Sequence, residues 1–184
     1  MAPIALLDSG AGRDPSRAAE TTLLCAVQRR LAVPGTVRAA RGLSLFGEHA
    51  AGWLVLGALG AGLDRPRRRD WLRAGVAVAA AHGSAIAVKR LVRRPRPDAP
   101  DVRVLAGTPS SLSFPSSHAA STTAASMLFG ALLGRRLTPL LVPPMLLSRV
   151  VLGVHFPTDV LAGSALGAAV AVGAARAGRA GTGR

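Results

Sequence analysis

Five stretches of this chain are apolar for nearly the length a bilayer requires, and its charge is packed into the short segments between them. They are 43–63, 71–92, 118–134, 137–154 and 156–175. A helix rises about 1.5 Å per residue, so about 20 mostly apolar residues cross the hydrocarbon core. A water-soluble core is a poor alternative: hydrophobic residues make up 49% of the chain, but aromatics only 3%, and Tyr is absent. Small residues such as Gly163, Ser164, Ala165, Gly167 and Ala168 suit close helix packing in lipid. The expected fold is an all-α, multi-pass membrane bundle of about five transmembrane helices.

At 184 residues a single domain is the natural expectation. Residues 1–16 lack periodicity and do not resemble a signal peptide; they are expected to be a disordered N-terminus. Residues 17–33 alternate apolar and charged positions as an amphipathic helix on the membrane surface would, with Pro34-Gly35 as its stop. Residues 17–175 then form the membrane domain, with a polar, Pro-rich loop over 93–117, and 176–184 form a tail. The lone Cys25 excludes an internal disulfide and a Cys-only metal site.

The formal charge of +14 raises the question of nucleic acid, but the Arg residues punctuate the ends of apolar runs and no stacking aromatics are interleaved with them. Nucleic acid is therefore not an expected partner; membrane lipids are. Outside the motif positions below, ten Arg fall on each side of the membrane, so the positive-inside rule ties. The dense 65–69 turn leans toward placing the opposite, motif-bearing face outside the cytoplasm.

Chemistry-bearing residues concentrate in three places. The chain's single Lys, Lys89, stands seven residues before Arg96-Pro97. Pro115-Ser116-Ser117-His118 opens the third apolar run, and Ser148-Arg149 is followed after five residues by His155 and then by Asp159. With about five spans, all three segments emerge at one membrane surface, where helix N-terminal amides suit an anion. Pro157 suits a first helical turn, which sets Asp159 across from His155. Several of these residues have a plainer reading. His155 could mark an interfacial helix start, His118 a polar helix terminus beside the capping Ser116 and Ser117, and Arg90, Arg93 and Arg94 read as membrane-surface anchors. Arg149 resists a plain reading, because an unpaired guanidinium within an apolar run is costly and calls for an anion.

In combination, these motifs resemble the three signatures of the type 2 phosphatidic acid phosphatase superfamily, with Ser117 where that family usually has Gly. The resemblance implies a lipid-phosphate substrate and a phosphoric monoester hydrolysis with no cofactor and no metal. His155 would be the nucleophile that forms a phosphohistidine, Asp159 its orienting carboxylate, and His118 the acid and base. Lys89, Arg96, Ser116, Ser117 and Arg149 would hold the phosphate. Asp98 and Asp101, the acidic residues of the loop, lack the partners a metal pair needs.

The stretches 42–49, 107–110 and 141–145 are similar to a small actinobacterial branch of the superfamily. That branch implies decaprenylphosphoryl 5-phosphoribose as substrate, in cell-wall arabinan precursor synthesis. Phosphatidate, phosphatidylglycerophosphate or a polyprenyl diphosphate stand as alternative substrates. A non-catalytic lipid-binding or transport protein would use the same cations, yet have no use for two His and an Asp. Glu48 and His49 read equally as contacts for the substrate headgroup or as buried helix contacts, whereas His82 reads first as a buried contact between helices.

Overall fold

The computed structural model describes residues 15–182 of the chain. Within them the helices are α1 (Pro15–Leu31), α2 (Pro34–Gly47), α3 (Ala51–Leu63), α4 (Arg68–Val92), α5 (Ser117–Leu133), α6 (Thr138–Val151) and α7 (Pro157–Thr182). Short 3-10 turns occupy Glu48–Ala50 and Arg65–Arg67. Among the described residues the only β pairing is an isolated bridge between Pro95 and Leu112, inside the 93–116 loop. The described residues are thus all-helical, as the hydropathy pattern predicts. The expected disorder of 1–16 falls on undescribed residues, except that Pro15 and Ser16 already belong to α1. Pro34 does more than stop α1: it occupies the first turn of α2, where its missing N–H is no loss.

The expected continuous span over 43–63 is broken. His49 (φ 50°) and Ala50 (φ 59°) adopt left-handed backbone conformations, and α3 begins only afterwards. Close contacts on both sides of the break explain it. A Cβ on Gly47 would lie 2.7 Å from the His118 ring, and one on Gly52 would lie 2.4 Å from the ring of Phe46. The end of α2 is therefore pressed onto α5, and α3 leaves in a new direction. The 13 residues of α3 reach only about 20 Å, short of the roughly 30 Å hydrocarbon core. Among the described residues, two helical segments are long and apolar enough to cross a membrane, Arg65–Val92 and Pro157–Arg179, and α6 is a shorter apolar helix.

α5 is the axis of the bundle, packed against α4, α6 and α7. Residues 118–126 are all buried, although five of the nine are His, Ser or Thr. Small side chains make that possible. A Cβ on Gly163 of α7 would sit 2.3 Å from the Ser116 carbonyl oxygen, and one on Gly167 would sit 2.1 Å from that of Ala120. The buried hydroxyls pair across helices: Trp53 Nε1 donates to Thr122 Oγ1 at 3.1 Å, and Thr123 Oγ1 meets Ser164 Oγ at 2.9 Å. Such pairs contribute about 0.6 kcal/mol each in lipid, but an unpaired hydroxyl would cost more. Large apolar side chains, including Leu54, Val55 and Leu59 of α3, Leu72 and Val76 of α4 and Leu161 of α7, instead face outward. This outward apolar surface is the kind that lipid covers.

Gly167→Val should destabilise the bundle by about 1–3 kcal/mol, because a side chain must force the α5 and α7 backbones apart. Thermal unfolding in detergent should show a Tm lowered by several degrees. Gly173→Ala, whose new Cβ would meet nothing within 4 Å, should leave the Tm unchanged.

Candidate active site

The three motif segments meet over the N-terminus of α5, around a cavity of about 280 Å³. Lys89 reaches it from the last turn of α4, where its Nζ donates to the carbonyls of Ser113 (2.7 Å) and Leu112 (3.3 Å). Arg93, in a left-handed conformation (φ 56°), ends α4 and turns the chain back across the site. The returning loop is pinned to itself, as Ser113 N donates to Arg94 O at 2.8 Å and Arg96 Nε to Ser110 O at 2.8 Å. Arg96 is thereby aimed inward, with Nη1 on the Val154 carbonyl and 3.2 Å from His155 Nε2.

His155 precedes α7 and is buried. Its Nδ1 faces Asp159 Oδ2 at 3.5 Å, longer than a normal hydrogen bond, and has no hydrogen-bond partner among the described residues. A guanidinium only donates, so the Nε2 lone pair faces Arg96 and in the neutral ring the proton sits on Nδ1, toward Asp159. Burial, and then the charges of Arg96, Arg149 and Lys89, hold the His155 imidazole well below its ordinary pKa. It is therefore neutral, as a nucleophile must be. Burial also pulls the Arg96 guanidinium down to about 10, against the opposing pull of Asp159, so Arg96 remains a cation at neutral pH.

His118 lies on the cavity wall with Nε2 3.0 Å from the Ser44 carbonyl, so Nε2 carries a proton and proton exchange falls to Nδ1. The same residue holds Arg149: Ser44 Oγ accepts from Nη1 at 2.6 Å. The Arg149 Nε is buried with no hydrogen-bond partner among the described residues. Lys89, Arg90, Arg96 and Arg149 line the cavity, and Glu48 is the one acidic side chain among the described residues that line it. Such a concentration of cations is built to receive an anion. Among the described residues no group of three or more His, Cys, Asp or Glu is placed to hold a metal ion.

Ser117 and His118 line the cavity, but Ser116 does not. Its hydroxyl caps α5, accepting from Ala119 N at 3.4 Å, and it is fully buried. Glu48 and His49 also line the cavity, with Oε1 and Nδ1 3.9 Å apart. His82 also lines the cavity, 6.3 Å from the His49 ring, and its Nδ1 has no partner among the described residues.

Arg94 is not a surface anchor. Its Nη1 donates to Asp159 Oδ1 at 2.8 Å and to Thr158 Oγ1 at 2.7 Å, and its Nη2 pairs with Glu20 of α1. Nor is α1 simply a helix lying on the bilayer. Gln28 is buried, donating to the carbonyls of Arg103 and Val151 and accepting from Arg103 N. Glu20, Gln28, Ser44 and Arg94 were all missed as site-building residues. The amphipathic pattern of α1 offered one hint, since Glu20 and Gln28 share a face at an eight-residue spacing.

With this geometry the chain belongs to the PAP2 superfamily, whose pattern residues 70–180 match. It is 55% identical over 152 residues to the decaprenylphosphoryl-5-phosphoribose phosphatase of Mycobacterium tuberculosis, covering 82% of this chain and 86% of that protein. The protein of the same name from Mycolicibacterium smegmatis is 55% identical over 145 residues, covering 78% and 81%. Two crystal structures share the fold. A transmembrane PAP2-type phosphatidylglycerolphosphate phosphatase from Bacillus subtilis superposes with a TM-score of 0.77 at 22% identity, covering 91% of this chain and 88% of that one. Aquifex aeolicus LpxE gives 0.67 at 21%, covering 84% and 93%.

The α1 clasp carries a pH signature. Burial raises the pKa of Glu20, but hydrogen bonds from Thr158 and Arg94 and the Arg94 charge lower it further, to a net value below its ordinary 4.5. The unfolded chain therefore binds this proton more tightly, and stability from the clasp is full above about pH 4.5 and lost as pH falls below it. The Tm of the wild type should fall more steeply on acidification through this range than that of Glu20→Gln.

Proposed function

We propose that this chain is an integral-membrane phosphatase that removes the 5-phosphate from decaprenylphosphoryl-5-phosphoribose through a phosphohistidine intermediate. The observation that carries this reading is His155, with its Nε2 lone pair 3.2 Å from Arg96 in a cation-lined cavity and Nδ1 backed by Asp159. The identity to the two mycobacterial proteins supports the substrate. The broken α2–α3 element and helices α4 to α7 supply about five crossings, with the cavity at one membrane surface. The Arg-dense 65–69 turn, at the other end of the bundle, favours the cytoplasm, which leaves the cavity on the extracytoplasmic side.

In this reading Lys89, Arg96, Arg149 and the Ser117 amide surround the phosphate oxygens. His155 Nε2 attacks phosphorus, the bond from phosphorus to the ribose 5-oxygen breaks, and His118 Nδ1 delivers a proton to that oxygen. Asp159 stabilises the positive charge that His155 acquires. Water then attacks the phosphohistidine and gives its proton to His118, and the P–N bond breaks to release phosphate and neutral His155. The fixed cations stabilise charge on the transferring group, and one well-placed donor contributes about 2.7–4 kcal/mol in comparable sites. Glu48, His49 and His82, which also line the cavity, face the ribose hydroxyls.

Purified protein in detergent with a chelator should release phosphate from the ribosyl lipid, and His155→Ala should abolish release. Asp159→Asn should lower kcat by about 10²- to 10⁴-fold, as loss of a histidine's orienting carboxylate does. Release that stops on chelation, or persists in His155→Ala, would overturn the mechanism. Glu48→Gln and His82→Ala should raise KM for the ribosyl lipid by about tenfold, the weight of one hydrogen bond to a charged group. Neither should alter slow hydrolysis of phosphatidate, which lacks the sugar.

A further inference from the structure

Asp159 is held from two sides, and only one of them belongs to the motif residues. Its Oδ2 accepts from Phe156 N at 2.8 Å and faces His155, whereas its Oδ1 accepts from Arg94. Asp159 is fully buried and the Arg94 side chain is 19% exposed, so little water screens the pair. The Arg94 guanidinium also lies 4.3 Å from the centre of the Phe156 ring, which fixes its plane. Its free edge pairs with Glu20, whose other oxygen accepts from Thr158 N at 3.0 Å and from the Thr158 hydroxyl. Glu20, Arg94 and Asp159 thus form a continuous chain of charges, from α1 through the loop to α7, ending behind His155.

We propose that Arg94 and Glu20 are positioning residues for the histidine chemistry: Arg94 orients the Asp159 carboxylate and offsets its charge, and Glu20 offsets Arg94. The inference rests on His155 being the nucleophile. The groups facing His155 are Arg96 from the loop, Lys89 from α4, Arg149 from α6, His118 from α5 and Asp159 from α7. Three cations thus oppose the positive charge that phosphorylation places on the ring, and the Glu20–Arg94–Asp159 chain carries one net negative charge behind it. Removing Arg94 makes that charge more negative and should favour the protonated imidazole. Removing Glu20 makes it less negative and should favour the neutral ring. A purely structural clasp would not produce opposite signs.

The test is the pH dependence of kcat/KM on the ribosyl lipid, whose rising limb reports deprotonation of the free enzyme's nucleophile. Arg94→Met should move that limb up by about 0.5–1 pH unit and Glu20→Gln should move it down, in line with charge effects at this range. Arg94→Lys keeps the charge but loses the fork, so it should restore the wild-type limb while lowering the Tm. Limbs that coincide in all folded variants, with only the Tm changed, would reduce the chain to a structural clasp. Should Arg94→Met not fold, the downward shift in Glu20→Gln and the rescue by Arg94→Lys decide the matter. Inactive wild-type protein, or activity that persists in His155→Ala, would instead overturn the phosphatase reading itself.

Discussion

Asp159 ties together segments that lie far apart in the chain. Its backbone carbonyl accepts from Ser116 N at 2.9 Å, joining the start of α5 to the start of α7. Its side chain caps α7 through Phe156 N, bonds Arg94 of the returning loop and faces His155. Through Arg94 it also reaches α1. A buried carboxylate would be costly alone, and here each oxygen has a donor. Orientation of the nucleophile, closure of the loop and docking of the N-terminal helix therefore all involve this one side chain.

The bundle is built to bring that side chain to α5. A membrane helix lined with Ser, Thr and His would be unstable facing lipid, but α5 is enclosed by its neighbours and its hydroxyls are paired across helices. Glycines at 163 and 167 let the α7 backbone approach α5 closely enough for the bond from Ser116 to Asp159. Close packing and site geometry are in this way the same requirement. The break at Glu48–Ala50 follows from it as well, because α2 must press Gly47 against His118 while Ser44 serves both His118 and Arg149.

Electrostatics divides the site into a front and a back. Lys89, Arg96 and Arg149 face the cavity, and each is steadied by carbonyl or hydroxyl oxygens, which leaves its charge for an anion. The acidic partners Asp159 and Glu20 lie behind His155, where they offset Arg94 without neutralising the phosphate-binding face. Preorganised charge of this kind stabilises a transferring phosphoryl group at no reorganisation cost during reaction.

Hydropathy and motif spacing determined the all-helical membrane class, the shared face of the three motifs, and the convergence of Lys89, Arg96, Arg149, His118, His155 and Asp159. These are legible because helical period, span length and residue chemistry are properties of local sequence. What the sequence left unreadable concerns partners across the fold. Arg94 looks like its neighbours Arg90 and Arg93 until folding sets it between Asp159 and Glu20, the latter 74 positions away. Ser44 meets Arg149 over a separation of 105. Ser116 and Ser117 are adjacent and alike, yet one caps α5 and the other lines the cavity. His82 reads as a helix contact from its apolar surroundings, yet it lines the cavity beside Glu48 and His49. The tertiary structure alone decided these roles, because they depend on how the helices cross and where they break, which no local pattern encodes.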